Sequence, residues 1–284
     1  MIVKSAMNLV WSAKQKRCAI GAFNIFNVEL VQATIAAAAA RKAAVILQTE
    51  EHDLQYCPPE IISEIVFRAA SAVNTPVILH LDHCTDIEMV RRCLEAGYVS
   101  VMFDGSRLPL EENITRTRTV VEMARSYGVP VEGELGVILK ARDKKRSEYQ
   151  ARGVTDPGTA EEFVKRTGVQ LLAPAVGTAH GVYKELPKID FDTLSEIAER
   201  TQIPLVLHGG SGVPVEDVQH CIQLGVAKVN VGTDLRRTFV DKTAVGAAGG
   251  SYTEATAVLA SARSSVEQVV GRWIDALDSV KLSG

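Results

Sequence analysis

No one sign of charge dominates this chain. The 31 Lys and Arg stand against 34 Asp and Glu, for a formal net charge of −3 with no block of like charge. Nucleic acid and anionic membrane surfaces both need a concentrated cationic face, so neither is expected as a partner. No apolar run reaches the length of a bilayer span. Met1 to Arg17 read as a short amphipathic helix with lysines spread along it; the basic, apolar, small-residue order of a secretion signal is missing. Cysteine is sparse. Cys18, Cys57, Cys84, Cys93 and Cys221 are odd in number and show no C-x-x-C spacing. That excludes a disulfide framework and points to reduced thiols in a cytoplasmic enzyme.

What is present is a regular alternation. At 284 residues and 46% apolar content the chain can bury a full core. Such a length suggests two domains, but α/β barrels of this size fold as one unit, and no Gly/Ser/Pro linker divides residues 1–284. Short apolar runs predict strands at Ala19–Ile25, Ala44–Thr49, Pro76–Asp82, Ser100–Asp104, Pro130–Leu135, Leu171–Val176, Pro204–His208 and Lys228–Val231. Their continuous apolar character suits parallel strands with helices on one side and a packed interior on the other. Helical patterns lie between them: Val28–Arg41, Pro59–Ala72, Thr85–Ala96, Leu110–Tyr127, Thr159–Arg166, Phe191–Arg200 and Val215–Leu224. Helices close on Gly97, Gly128 and Gly225, and Pro76, Pro130 and Pro204 announce strands. Eight βα units in a row predict a (β/α)₈ TIM barrel, with an N-terminal helix and an extra C-terminal helix at Glu254–Leu277; a doubly wound sheet is the competing fold. Ala244–Thr253, rich in Gly and Ala, reads as a loop. Val137–Gly158, highly charged, reads as a mobile active-site loop after the fifth strand.

The unusual polar residues fall in one place. Asp82, His83, Asp104, Glu134, His180, His208 and Asn230 all sit at or just past the C-terminal ends of predicted strands, the rim on which barrels of this kind build active sites. A lone His there is more often a hydrogen-bonded structural residue. Three of the chain's six, from strands three, six and seven, instead point to a divalent metal on His83, His180 and His208. Neutral imidazoles leave the ion its full charge and an open position, as a catalytic zinc needs, although imidazole suits other transition metals too. His52, His80 and His220 read as structural; His80, one layer below Asp82, is placed in the core. Lys228 is taken to open the eighth strand. Asp82 reads either as a proton-transfer carboxylate beside the metal or as a cap for a helix starting near Thr85. Glu132 and Glu134 alternate on the fifth strand and share a face, so one of them, or Asp104, is a candidate to orient a ligand imidazole.

Two glycine-rich turns suggest a phosphate. His208-Gly-Gly-Ser-Gly212 and Asn230-Val-Gly-Thr-Asp234 end strands seven and eight ahead of helices, and helix N-termini in those two loops commonly cradle phosphate. Lys184 is placed to add a positive charge.

Together, Gly21-Ala-Phe-Asn24, Leu79-His-Leu-Asp82-His83, Val131-Glu-Gly-Glu134-Leu-Gly136, Gly177-Thr-Ala-His180-Gly181, Val206-Leu-His208-Gly-Gly-Ser211 and Val229-Asn230-Val-Gly-Thr233-Asp234 resemble the successive motifs of the class II, metal-dependent ketose-bisphosphate aldolases. The similarity runs from about Met1 to Phe239. The resemblance implies a cytoplasmic homo-oligomer, dimer or tetramer, with one Zn2+ per subunit and a monovalent cation, Na+ or K+, near the phosphate. It implies His83, His180 and His208 as metal ligands and Asp82 as the acid/base. Gly181, Gly209, Gly210, Ser211, Asn230, Val231, Gly232 and Thr233 would hold dihydroxyacetone phosphate, with Asn24 from the opening motif also on the substrate. The implied reaction is reversible C3–C4 cleavage of a ketose of the tagatose or fructose 1,6-bisphosphate type, with no Schiff-base lysine.

Departures from the pattern concern the aldehyde half. Gly232 stands where fructose-type members usually carry Asp and tagatose-type members a small residue. Cys84 replaces a Gly. Thr49-Glu50-Glu51-His52 replaces a Ser- and Gly-bearing loop. Leu139-Lys-Ala-Arg142-Asp143 replaces Gly-Gly-x-Glu-Asp, whose Glu exchanges the enediolate proton. Gly250-Ser-Tyr-Thr253 replaces Asp-Pro-Arg. A divergent aldolase with a different aldehyde partner is therefore the alternative, with Arg142 or Lys140 bringing positive charge to an acidic aldehyde. Two other classes compete: a catalytically weak metal-binding regulatory subunit, and a metal-dependent hydrolase, which has no use for a phosphate cradle.

Overall fold

In the computed structural model, which describes residues 3, 6–136, 139–140, 154–249 and 254–279, the apolar runs form eight parallel strands. They are β1 Ile20–Asn24, β2 Val45–Glu50, β3 Val77–Asp82, β4 Ser100–Phe103, β5 Val131–Leu135, β6 Leu171–Pro174, β7 Leu205–Leu207 and β8 Val226–Val231. Each neighbours the next, and β1 closes the ring on β8, with Ile20 opposite Lys228 and Phe23 opposite Val231. The (β/α)₈ barrel is the observed fold; the doubly wound sheet is ruled out by this closure.

The helices are α1 Ala6–Gln15, α2 Val28–Arg41, α3 Glu51–Tyr56, α4 Pro59–Ser71, α5 Ile87–Glu95, α6 Leu110–Arg125, α7 Pro157–Thr167, α8 Phe191–Thr201, α9 Val215–Gln223, α10 Thr233–Ala248 and α11 Ala255–Ala276. Their starts follow local chemistry. Side chains of Asn27, Asp86, Asp156 and Asp190 accept hydrogen bonds from the first-turn amides of α2, α5, α7 and α8, satisfying donors that have no partner within the helix. No helix is long and apolar enough to cross a membrane, among the described residues.

Two apolar clusters divide the strand side chains by parity. Phe23, Leu47, Leu79, Val101, Leu172 and Leu207 face outward and pack under the helices. Ile20, Ile46, Ile78, Leu171 and Val206 face inward near the strand starts, where Ala6, Val10 and Ala13 of α1 meet them and close that end of the barrel. The inward positions become polar toward the strand ends: Gln48, His80 and Lys228, then Asp82, Asn230 and His208, all buried. A dry floor thus supports a polar rim.

Four expectations need correction. Ala244–Ala248 continue α10 rather than opening a loop. A Cβ at Gly246 would lie 2.7 Å from Val258, so the small residues there allow α11 to pack closely on α10; Gly250–Thr253 lie outside the described residues. The strand carrying Lys228 begins two residues earlier than read, at Val226, which puts Lys228 in the buried layer beneath the rim instead of at the strand's opening. The Glu51–Tyr56 stretch is a short helix that the sequence did not announce. The segment after β5 is not wholly loop: Leu139–Lys140 pair in parallel with Ala179–His180, and α7 begins at Pro157. Arg142 and Asp143, and the side chain of Lys140, lie outside what is described. The C-terminal helix α11 packs on α2 and α10, with Arg41 paired to Asp275 at 2.8 Å.

Candidate active site

The site is assembled from strand ends. Asp82 is the last residue of β3, and the next residue, His83, has φ of 43°. Adjacent residues of a strand face opposite ways; the left-handed turn at His83, rare for a residue with a Cβ, lets both side chains reach the same cavity. The His83 amide meets the Met102 sulfur at 3.4 Å. Asp82 caps no helix, since Asp86 takes that role for α5. Both Asp82 oxygens instead accept hydrogen bonds, from Gln48 Nε2 at 2.8 Å and Asn230 Nδ2 at 3.0 Å.

The three imidazoles meet as the sequence predicted. One ring nitrogen each from His83, His180 and His208 lies within 4.8 Å of the others, and the His83 ring is edge-on to both partners. Carboxylates fix two of the tautomers. His83 Nδ1 faces Asp104 at 3.0 Å, and His208 Nε2 faces Glu132 at 2.7 Å. Burial opposes ionisation of both acids. The His83 hydrogen bond and the Ser106 donors hold Asp104 well below the usual carboxylate range, and Lys228 followed by His208 does the same for Glu132. Each therefore takes an N–H from its imidazole, which leaves His83 Nε2 and His208 Nδ1 presenting lone pairs to each other at 2.9 Å. Two lone pairs so close require a cation between them, a proton or a metal. Burial disfavours a charged His83, but Asp82, Asp104 and Glu134 outweigh it and raise its pKa; burial and the His83 charge lower those of His180 and His208.

Glu134 and Glu132 play different parts, which their shared face could not reveal. Glu134 Oε2 lies 3.4 Å from His83 Nδ1 and 3.8 Å from His208 Nδ1, yet is buried without a hydrogen-bond partner. Burial and the neighbouring Asp104 raise its pKa. Glu132 leads downward, to Lys228 Nζ at 2.7 Å, and Lys228 in turn meets His80 Nε2 at 3.2 Å while His80 Nδ1 meets Ser100 at 2.8 Å. His80 is thus a core residue that also braces the site.

Around this cluster lies a cavity of about 240 Å³ that Asn24, Gly181, Gly209, Ser211, Asn230, Gly232 and Thr233 also line. Gly209 has φ of +68°, and a Cβ there would lie 2.4 Å from the Ala179 carbonyl oxygen, so no other residue fits. The Gly210 amide is already committed to the Asn230 carbonyl at 3.0 Å. Ser211 Oγ accepts from the Asp234 amide at 3.2 Å, joining the two glycine-rich loops at the start of α10. Val231 is buried in the outer core, pointing away. Lys184 lines an adjoining cavity with Gly181, Ser211 and Thr233.

Several residues of the site escaped the sequence reading. Tyr183 ties the His180 loop to the Gly209 loop: its hydroxyl accepts from the Ala179 amide at 2.7 Å and donates to the Gly209 carbonyl at 3.0 Å. Gln48 braces Asp82, while Glu50, Ser106, Arg107 and Arg236 line the cavity. Glu50 stands out in the sequence only within the divergent Thr49-Glu50-Glu51-His52 loop, and Gln48 as a polar residue two positions before it in an apolar run; Ser106, Arg107 and Arg236 carry no such signal.

A family model described as fructose-bisphosphate aldolase class II matches residues 4–281. The crystal structure of the YdjI aldolase from Escherichia coli K12 is 30% identical, covers 98% of this chain and 98% of that chain, and superposes with a TM-score of 0.86. Fructose-bisphosphate aldolase (Fba) from Campylobacter jejuni shares the fold at 22% identity, with a TM-score of 0.84 over 99% of this chain and 97% of that one.

Proposed function

Because the chain belongs to the class II fructose-bisphosphate aldolase family, and so is a carbon–carbon lyase of a metal-dependent class, we propose that it cleaves a phosphorylated ketose reversibly between C3 and C4. The products are dihydroxyacetone phosphate and an aldehyde, and the ketose is of the tagatose or fructose type. The whole of residues 1–284 acts as one unit, in a cytoplasmic homodimer or homotetramer.

One observation carries the reading: two imidazole lone pairs held 2.9 Å apart by flanking carboxylates, with the partnerless Glu134 oxygen beside them. This donor set fits a divalent cation. His83, His180 and His208 would hold it, zinc being the metal such imidazoles suit. When bound, it supplies Lewis-acid stabilisation of the negative charge that develops on the donor half.

The chain's own residues account for the rest. Asp82, held by Gln48 and Asn230, takes the C4 hydroxyl proton as the C3–C4 bond breaks and returns it to the aldehyde oxygen in condensation. The C1 phosphate rests on the Gly181, Gly209, Ser211 and Asn230–Thr233 backbone at the start of α10, where amides and helix dipole favour an anion, with Lys184 adding charge and Na+ or K+ alongside. Gly232 leaves room for Asn24: a Cβ there would lie 2.6 Å from Asn24 Oδ1, which supports the small-residue, tagatose-type side of the family pattern. A different aldehyde partner is the second reading, favoured by the carboxylate at Glu50.

The test is metal content followed by retro-aldol assays on fructose and tagatose bisphosphates and on ketose 1-phosphates, with and without chelator. Activity is expected to vanish with the metal and to return when zinc is restored. Full activity after complete metal removal refutes the proposal.

A further inference from the structure

On the β2 and β3 side the wall of the cavity is acidic, and the guanidinium nearest Glu50, that of Arg236, is already engaged. Glu50 ends β2 directly beside Asp82 of β3, in register with it, and lines the same cavity. Three groups fix its carboxylate: Asn24 Nδ2 at 2.7 Å, Arg236 at 3.0 Å and His52 Nδ1 at 3.2 Å. Arg236 cannot turn to a ligand without abandoning two carboxylates. It donates to both oxygens of Asp53, at 2.9 and 2.8 Å, as well as to Glu50, and its guanidinium lies over the Phe26 ring. Asp53 is itself buried. Burial works against ionisation of Glu50, but His52 and Arg236 outweigh it and bring its pKa down to about 2. At neutral pH the wall therefore presents a fixed anion: Oε1 is filled by Asn24 and Arg236, while Oε2, which His52 meets, has a lone pair left to accept a hydrogen bond, and the charge repels a phosphate.

Position decides which part of a substrate meets it. The phosphate cradle is built on the loops after β6, β7 and β8. Asp82, which handles the C4 oxygen under the proposed function, is on β3. A ketose anchored in the cradle and reacting at Asp82 therefore extends its remaining carbons past Asp82 toward the rim of β2 and β4. Resting on that reading, we propose that Glu50 is a specificity-determining residue for the aldehyde half. It accepts a hydrogen bond from a hydroxyl next to the reacting carbonyl and excludes an aldehyde that carries a phosphate there. The ketose cut is then a 1-phosphate with an uncharged, hydroxyl-bearing tail. The other cation of the cavity, Arg107, is exposed on the β4 side and is the rival determinant.

The experiment uses the full-length, metal-loaded enzyme in the condensation direction, with dihydroxyacetone phosphate and either glyceraldehyde or glyceraldehyde 3-phosphate. Wild type is expected to favour glyceraldehyde in kcat/KM by at least about tenfold. Glu50→Gln, which keeps shape and removes charge, is expected to raise KM for glyceraldehyde about fivefold with kcat nearly unchanged, and Glu50→Ser to move the ratio toward the phosphorylated aldehyde by about tenfold or more. Circular dichroism and zinc stoichiometry check each variant; if Glu50→Ser does not fold, Glu50→Gln carries the test alone through the same ratio. A wild-type preference for glyceraldehyde 3-phosphate that Arg107→Ala abolishes overturns the inference, as does a ratio unmoved within twofold in the Glu50 variants, and both leave the aldolase assignment standing. Inactivity toward every aldehyde and every ketose phosphate overturns the proposed function, and this inference with it.

Discussion

Replacing Lys228 by Met is expected to destabilise the barrel severely, in a way that depends on pH. Lys228 and Glu132 are 2% and 0% exposed and 2.7 Å apart. The second Glu132 oxygen is occupied by His208 at 2.7 Å, and the next nearest basic group, His80 Nε2, is 3.6 Å away. Removing one partner of a buried pair leaves an uncompensated charge and costs about 3–5 kcal/mol, a large part of the roughly 5–15 kcal/mol that a folded protein has. In the wild type, Lys228 is the main influence holding the Glu132 carboxyl below its ordinary pKa against burial. Without Lys228, burial raises that pKa above the unfolded value. The folded variant then binds a proton that the unfolded chain does not, so its stability recovers as pH falls. Urea unfolding of the metal-free proteins at pH 8 and pH 5 measures both effects. The deficit of Lys228→Met should be about 3–5 kcal/mol at pH 8 and clearly smaller at pH 5. The double variant Lys228→Met/Glu132→Gln should regain part of the loss at pH 8, since no buried charge remains. A single-variant deficit under about 1 kcal/mol at pH 8, or one equal at both pH values, refutes the reasoning.

Three further outcomes follow from the same geometry. Zinc added to the metal-free protein near neutral pH should release about one proton per ion, because the His83–His208 pair holds a proton where the metal goes; calorimetry in buffers of different ionisation enthalpy reads it, and zero release contradicts the lone-pair argument. Glu50→Gln should cost about 2–3 kcal/mol above pH 5, a gap that closes as pH falls through 4.5 toward 2 in step with the lowered Glu50 pKa; a gap constant with pH counts against an ionised Glu50. Gly232→Asp should push Asn24 from its place 2.6 Å from the new Cβ and loosen its bonds to Glu50 and Gln48, raising KM for the aldehyde severalfold; steady-state condensation kinetics would show otherwise if Asn24 were a bystander.

The barrel was legible because its signals are local and repeated. Apolar strand runs, helix-closing glycines and polar residues gathered at strand ends each report on a few neighbouring positions, and eight repeats reinforce them. His83, His180 and His208 followed from the same rim. What stayed hidden depended on pairing between distant strands. Glu132 and Glu134 have the same parity, so only the barrel shows that one reaches His208 and the other points an oxygen at the imidazoles with no hydrogen bond. Lys228 reads as a strand opener because Gly225 closes a helix so near the strand that Val226 and Ala227 look like part of the turn, although the strand begins at Val226. Ala244–Ala248 look like a loop because Gly246 resembles a loop marker, although its smallness serves contact with Val258 within a continuous helix. Arg236 gave no signal at all, since nothing in a helical stretch reveals a partner 186 positions away.

The two-residue ladder between Leu139–Lys140 and Ala179–His180 ties the backbone that carries one imidazole to the segment leaving β5. An imidazole mounted this way shares any displacement of the backbone paired with it, so the place of His180 in the three-histidine cluster and the position of the Leu139–Lys140 backbone form a single mechanical variable.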